Sequence, residues 1–173
     1  GIKYSCPGGT FGRIIGADSA DEACSACRAG YYCPSYPGPP SMNATARVCG
    51  RHKYCPAGSA FPTYIRSGYY GIGGVNDTTF TGELICPRGR YCHGSKMFDC
   101  PEGTFGNATG LKNKRCSGFC MAGYFCPRGS EVPLECPENT YATPGASKCI
   151  ACNPASILED SQKCRTRREC CGQ

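Results

Sequence analysis

The sequence contains no tryptophan and few large aliphatic or phenylalanine side chains, which argues against a conventional hydrophobic core. Only 22 of its 173 residues are Leu, Ile, Val or Phe, less than the roughly 20% below which chains rarely bury enough apolar surface to fold. No window keeps the spacing of an amphipathic helix, and none has the roughly 18 consecutive apolar residues of a membrane-spanning helix. The sequence therefore predicts little helix and no membrane span within this chain.

Cysteine is the residue that the chain has in excess. Eighteen residues are cysteine, and 24 glycines and 14 prolines supply turns. This composition predicts a framework in which disulfides replace the missing core. Because disulfides persist in oxidising compartments, we expect an extracellular or cell-surface location. The chain begins at Gly1 without a methionine, so we also expect a processed product or a fragment.

Three Asn-x-Thr acceptor sites agree with a secreted protein. They begin at Asn43, Asn76 and Asn107 and lie in polar stretches next to Gly or Pro, so each is predicted to carry an N-linked glycan. The net charge of +6 is spread along the chain and is typical of a solvated surface. We expect no nucleic acid partner.

A long internal repeat organises the chain. The phrase CPGGTFG at Cys6 recurs as CPEGTFG at Cys100, an offset of 94 residues. The predicted division is a first cysteine-rich repeat at 1–99, a second and divergent repeat at 100–152, and a basic tail at 153–173. The first repeat includes a cysteine-free insert at 60–85, for which the second has no counterpart.

The phrases CPEGTFG, GYFCPRGS, YCPAGS and CPENTYATPGASKCIAC give the chain a family resemblance. They resemble the ephrin-receptor-like and growth-factor-receptor-like cysteine-rich repeats, which form tandem arrays in surface proteins of algae and other protists. The resemblance implies an extracellular architecture and no shared enzymatic activity. With the composition, it predicts a small disulfide-rich fold of elongated tandem modules, with short β-hairpins, irregular loops and little helix.

Two pairings of the cysteines are compatible with their spacing. A sequential scheme uses each cysteine once and is the one we favour, whereas a ladder joining Cys27 to Cys49 and Cys33 to Cys55 would follow the receptor modules that the chain resembles. Spacing alone does not fix connectivity, which depends on Cα separations. The sequential scheme predicts the bonds Cys6–Cys24, Cys27–Cys33, Cys49–Cys55, Cys86–Cys92, Cys100–Cys116, Cys120–Cys126, Cys136–Cys149, Cys164–Cys170 and Cys152–Cys171.

The sequence offers little for catalysis or metal binding. The segments Cys24 to Cys27 and Cys149 to Cys152 have the C-x-x-C spacing of zinc ligands, but three glycan acceptors beside 18 cysteines favour disulfides. The two histidines, His52 and His93, lack a readable partner, and no nucleophile motif is present. We expect no metal, no cofactor and no enzymatic activity.

These features predict an extracellular structural glycoprotein, a subunit of a cell-surface fibre, appendage or coat. The alternative is a ligand-binding fragment of a receptor or adhesin ectodomain. The insert is rich in aromatic and β-branched residues, so its strands are expected to contact a copy of the chain or another surface glycoprotein. Folding of the insert onto its own module is the other possibility. The predicted contact residues are Tyr64, Ile65, Tyr69, Tyr70 and Phe80.

Overall fold

The computed structural model describes residues 6–12, 19–35, 46–138 and 140–152. Within these ranges the secondary structure is one helix of four residues, α1 (Ala20–Ala23), and short strands of two to four residues. In chain order the strands are β1 (Thr10–Gly12), β2 (Cys24–Ala26), β3 (Tyr31–Tyr32), β4 (Arg47–Val48), β5 (Lys53–Tyr54), β6 (Thr63–Tyr64), β7 (Tyr69–Ile72), β8 (Gly82–Ile85), β9 (Arg90–His93), β10 (Lys96–Asp99), β11 (Thr104–Phe105), β12 (Gly118–Phe119), β13 (Tyr124–Phe125), β14 (Leu134–Glu135), β15 (Thr140–Tyr141) and β16 (Ile150–Ala151).

Each strand pairs with a sequence neighbour, which gives a series of two-stranded sheets from β1–β2 to β15–β16. The pairing is antiparallel in β1–β2, where Phe11 lies opposite Ser25, and in β11–β12, where Thr104 lies opposite Phe119. Strands this short do not form a stable hairpin without other support. The architecture confirms the predicted small disulfide-rich fold class of short hairpins with little helix.

The chain forms two compact units. The N-terminal unit comprises Gly1–Leu84 and Gly94–Lys96, and the C-terminal unit comprises Ile85–His93 and Met97–Gln173. These units are defined by packing, whereas the boundaries at residues 99 and 152 were inferred from repeated sequence. Those repeat boundaries therefore stay predictions.

A seven-residue loop recurs in both units. It begins with cysteine, has an aromatic side chain at its sixth position and ends on cysteine, glycine or alanine. Wherever the structure describes the fourth residue, its φ is positive, as at Gly30 (84°), His52 (61°) and Gly103 (77°), and glycine adopts that region without the clash that a Cβ brings. The loops are residues 6–12, 27–33, 49–55, 86–92, 100–106, 120–126 and 136–142.

The fourth residue connects its loop to the next one through both of its backbone polar groups. The Gly103 N–H donates to the Cys126 carbonyl at 2.9 Å, and the Gly103 carbonyl accepts from the Cys120 N–H at 3.0 Å. Two further backbone hydrogen bonds join the turn that follows the second loop to the first and last residues of the first loop. The same four bonds join loop 27–33 to 49–55, loop 86–92 to 100–106, loop 100–106 to 120–126 and loop 120–126 to 136–142.

Disulfide sulfur forms the interior of these loops. The buried apolar side chains among the described residues are cysteines together with Ala23 and Ala142. Bonded cysteines have Cα separations of 5.6 to 6.1 Å, within the usual range for disulfides. Seven bonds join pairs of described residues: Cys6–Cys24, Cys27–Cys33, Cys49–Cys55, Cys86–Cys92, Cys100–Cys116, Cys120–Cys126 and Cys136–Cys149.

These seven pairs belong to the sequential scheme, and the ladder pairs Cys27–Cys49 and Cys33–Cys55 do not form. The ends of a loop approach each other because the chain reverses direction at the fourth residue. Cys152 is disulfide-bonded as well. The predicted Cys164–Cys170 and Cys152–Cys171 bonds involve residues outside the described part of the chain.

The conformation at the fourth residue can be tested by two alanine variants. A Cβ at Gly123, where φ is 83°, meets nothing within 4 Å, whereas a Cβ at Gly103 meets the Gly145 backbone, with the carbonyl carbon 2.9 Å away. We expect Gly123→Ala to lower the free energy of unfolding by about 1–2 kcal/mol through left-handed strain alone. Gly103→Ala should lower it further, because the backbone must also move. Denaturant titration of the oxidised proteins measures both, and equal losses would contradict the proposed loop-to-loop contact.

The shared geometry of the loops predicts a position to which one disulfide can be moved. Ala142 ends loop 136–142, is buried, and accepts a hydrogen bond from the Gly123 N–H at 2.9 Å, as a terminal half-cystine does in loop 120–126. The double variant Ala142→Cys with Cys149→Ser should therefore join Cys136 to the thiol introduced at position 142, in place of the Cys136–Cys149 bond. Peptide mapping under non-reducing conditions identifies the new bond. The single variant Cys149→Ser is the control, and a free thiol at Cys136 in the double variant would contradict the prediction.

Candidate functional site

The predicted contact residues lie in or beside an additional loop that contains no cysteine. Residues 65–71, IRSGYYG, have the seven-residue pattern of CRAGYYC at 27–33. Gly68 at the fourth position has a φ of 84°, and the Ile65 N–H donates to the His52 carbonyl at 2.9 Å, as the first residue of a following loop does elsewhere. The segment interpreted as an insert is thus a further copy of the loop. The shared R-x-G-Y-Y phrase is the signal that sequence reasoning missed.

Phe80 packs against this copy of the loop. A Cβ at Gly71, the last loop position, would meet the Phe80 ring at 2.5 Å. The Phe80 carbonyl accepts a hydrogen bond from the Cys55 N–H at 2.9 Å, which joins Phe80 to the preceding loop. Phe80 is therefore held within its own unit by both its ring and its backbone.

A single carboxylate joins the 65–71 loop to strand β8. Glu83 accepts from the Arg66 backbone N–H at 2.8 Å and from the Arg66 Nε, while its own side chain is only 7% exposed. The Arg66 guanidinium also lies 4.0 Å from the centre of the Tyr69 ring. The hydrogen bond that the Arg66 guanidinium donates to Glu83 raises the pKa of Arg66, and the guanidinium covers one face of the Tyr69 ring.

The five predicted contact residues differ in exposure. Tyr64 is 69% exposed on β6, and its ring lies 4.6 Å from the Lys53 ammonium. The other four are half-buried. Phe61, which the sequence did not single out, is also 69% exposed. Among the described residues of the N-terminal unit, the exposed aromatic side chains are thus Phe61 and Tyr64, and a subunit contact there stays a prediction.

The polar turn at 73–81 carries one of the three glycan acceptors. The Thr79 hydroxyl is buried and accepts from the backbone N–H groups of Val75 and Asn76 at 3.0 and 3.2 Å. The Asn76 Oδ1 accepts from the Thr78 N–H at 3.0 Å and from the Thr78 hydroxyl at 2.7 Å. These bonds hold the acceptor asparagine in one position on an exposed turn.

A shallow cleft of about 370 Å³ lies between this turn and loop 27–33. One wall is formed by Arg28 and Tyr31, and the other by Val75, Asn76 and Thr79. The Arg28 guanidinium lies 3.8 Å from the centre of the Tyr31 ring. Arg28 and Tyr31 occupy the same loop positions as Arg66 and Tyr69. In that second pair the arginine is bound by the Glu83 carboxylate.

The remaining predicted sites lie elsewhere. Asn107 is exposed in the C-terminal unit, where its backbone N–H donates to the Ser117 hydroxyl at 3.1 Å, and Asn43 lies outside the described residues. His52 is exposed and its Nδ1 is 3.0 Å from the Ser95 hydroxyl. Within the described ranges, no group of His, Cys, Asp or Glu is arranged to hold a metal ion. No described helix is long and apolar enough to span a bilayer.

No protein-family model matches the chain, and no curated protein matches it significantly. The structural class of the protein and its cellular compartment are therefore indicated by the chemistry of the chain itself. Seven disulfides in the described residues define a small disulfide-rich protein. Such a density of disulfides indicates an oxidising compartment.

The contribution of Glu83 can be measured by hydrogen exchange. Replacing Glu83 with alanine removes the acceptor for the Arg66 N–H, so the loop should open more often. We expect exchange of the Tyr69 N–H, which bonds the Arg66 carbonyl at 3.1 Å, to accelerate by about ten-fold. Arg51→Ala is the control, because it removes only the exposed 3.7 Å pair with Asp77 and should change nothing. Equal effects of the two variants would contradict the role of Glu83.

Proposed function

We propose that this chain is an extracellular structural glycoprotein, a subunit of a cell-surface fibre, appendage or coat. The observation that carries the proposal is the interior of the molecule. Among the described residues its apolar side chains are half-cystines and two alanines, and the loops are joined by repeated backbone hydrogen bonds. This construction supports a rigid scaffold whose side chains are left free for external contacts rather than for catalysis.

The arrangement of cross-links supports a role in a durable surface layer. Each described disulfide closes a short segment, with sequence separations from 6 to 18 residues. On the chain-entropy model a loop of about 15 residues contributes roughly 3 kcal/mol, so several such bonds offset the absence of a hydrophobic core. Local covalent closure keeps these segments folded when the chain is exposed to the extracellular medium. The family resemblance to tandem cysteine-rich surface repeats is part of the same proposal.

The proposed subunit contact centres on β6. Phe61 and Tyr64 are each 69% exposed, and within the described part of the chain β6 pairs with β5 alone. An exposed aromatic pair beside a free strand edge favours association with a second chain through apolar burial and strand pairing. The partner is a copy of this chain or another surface glycoprotein. A contact that repeats head to tail without closing would produce a filament.

A receptor or adhesin fragment is the second candidate, and the C-terminal unit supplies its observation. Phe119 and Met121 are both mostly exposed and flank the buried Cys120. Aromatic residues and methionine are enriched in protein interfaces. In this alternative the Phe119–Met121 surface binds a foreign ligand, and the chain itself stays monomeric.

Two double variants distinguish these candidates in protein secreted with its disulfides intact. We expect the wild-type chain to form particles larger than a monomer in electron micrographs and in sedimentation. Phe61→Ser with Tyr64→Ser should shift the protein to monomers, because it removes the exposed aromatic surface of β6. Phe119→Ser with Met121→Ser is the matched control and should leave assembly unchanged. A wild-type protein that is monomeric at all concentrations, or assembly lost only in the second variant, would contradict the proposed contact.

A further inference from the structure

We propose that the first sugar of an N-linked glycan on Asn76 lies in the cleft formed by Arg28, Tyr31 and Val75, and stabilises the N-terminal unit. This inference rests on the proposed function, since a glycan is added only to a chain that enters a glycosylating secretory pathway. The glycan would be a structural part of the unit and would cover surface that the polypeptide leaves exposed.

The acceptor side chain is prepared for attachment. Both side-chain bonds with Thr78 use the Asn76 Oδ1, and no described residue bonds the Nδ2. Glycosylation joins Nδ2 to the anomeric carbon of a sugar from a lipid-linked oligosaccharide diphosphate. Nδ2 loses one proton, and the lipid diphosphate is the leaving group. The hydrogen bonds to Oδ1 can persist after glycosylation of Nδ2. The first sugar is therefore attached to an amide whose orientation is fixed.

The chemistry of the cleft fits an N-acetylated sugar. Val75 is 95% exposed beside Asn76, so it offers apolar surface to the C–H face of a pyranose ring. The Tyr31 ring and the Arg28 guanidinium form the opposite wall. Guanidinium N–H groups are donors with no acceptor capacity, and they suit the hydroxyl and acetamido oxygens of the sugar.

The two Arg–Tyr pairs of the N-terminal unit support this assignment. In loop 65–71 the Arg66 guanidinium has an acidic partner in Glu83. In loop 27–33 the Arg28 guanidinium makes no ion pair with any described residue, and the cleft lies beside it. The same loop geometry thus leaves one arginine with donors that a ligand can use. Asn76 itself lines the cleft. A sugar attached to Asn76 therefore stays next to the cleft, which identifies that sugar as the occupant.

The test uses protein secreted from cells that perform N-glycosylation, with occupancy of each acceptor determined by mass spectrometry. We expect Asn76→Gln to lower the melting temperature by about 2–4 °C, the effect of losing one net hydrogen bond in a chain of this size. Arg28→Ala should give a similar fall in the glycosylated protein and no further fall in the Asn76→Gln background. Trimming the glycan to its first sugar with an endoglycosidase should retain the full stability.

Asn107→Gln is the matched control. Asn107 is exposed in the other unit, so its removal should leave the effect of Arg28→Ala unchanged. The inference is overturned if Asn76 is unoccupied, if Arg28→Ala is equally destabilising with and without the Asn76 glycan, or if trimming to one sugar removes the stabilisation. An unmodified Asn76 beside an occupied Asn107 overturns the inference alone. A chain that is neither secreted nor modified at either asparagine overturns the proposed function as well.

Discussion

The structure depends on one backbone conformation, the positive φ at the fourth position of the seven-residue loop, which occurs in all copies whose fourth residue is described. That conformation directs the N–H and C=O of one residue toward the ends of the next loop, as at Gly103. The chain reverses there, so the same residue brings the two ends of its own loop within disulfide distance. Since L-residues with a Cβ are disfavoured in this region, the position is glycine in five of the seven loops that begin with cysteine. Folding of each loop and its connection to the next therefore have a common origin.

The disulfides and the backbone hydrogen bonds act at different levels. Disulfides close individual segments, whereas the four repeated hydrogen bonds join successive loops. This separation explains why the last loop position tolerates Gly106 or Ala142 in place of cysteine. It also explains how residues 65–71 keep the loop conformation with no cysteine, because Phe80 and Glu83 supply contacts that a half-cystine provides elsewhere.

A scaffold built in this way leaves most side chains at the surface of the protein. The contacts that these side chains make differ between copies of the loop. The Arg–Tyr pair at the second and fifth positions is bound by Glu83 in one copy and borders an open cleft in the other. The outward aromatic residues Phe61 and Tyr64 lie on the β5–β6 hairpin. Function in such a protein arises from what each copy exposes, since the loop interior is nearly invariant in its chemistry.

The sequence by itself determined the disulfide-rich class, the short hairpins and the spacing of the half-cystines, because composition and local turn chemistry act over only a few residues. It also indicated the acceptor asparagines. Tertiary structure decided which aromatic residues are covered, since the Phe80 ring packs against Gly71 while Tyr64 is exposed. The Tyr69 ring is covered by Arg66, whose guanidinium is held by Glu83 from a separate strand. Tertiary structure likewise revealed that residues 65–71, within the cysteine-free insert, repeat the loop, and it placed Asn76 beside Arg28. Those outcomes depend on contacts between separate loops, and hydrophobic periodicity and cysteine spacing carry no information about such contacts.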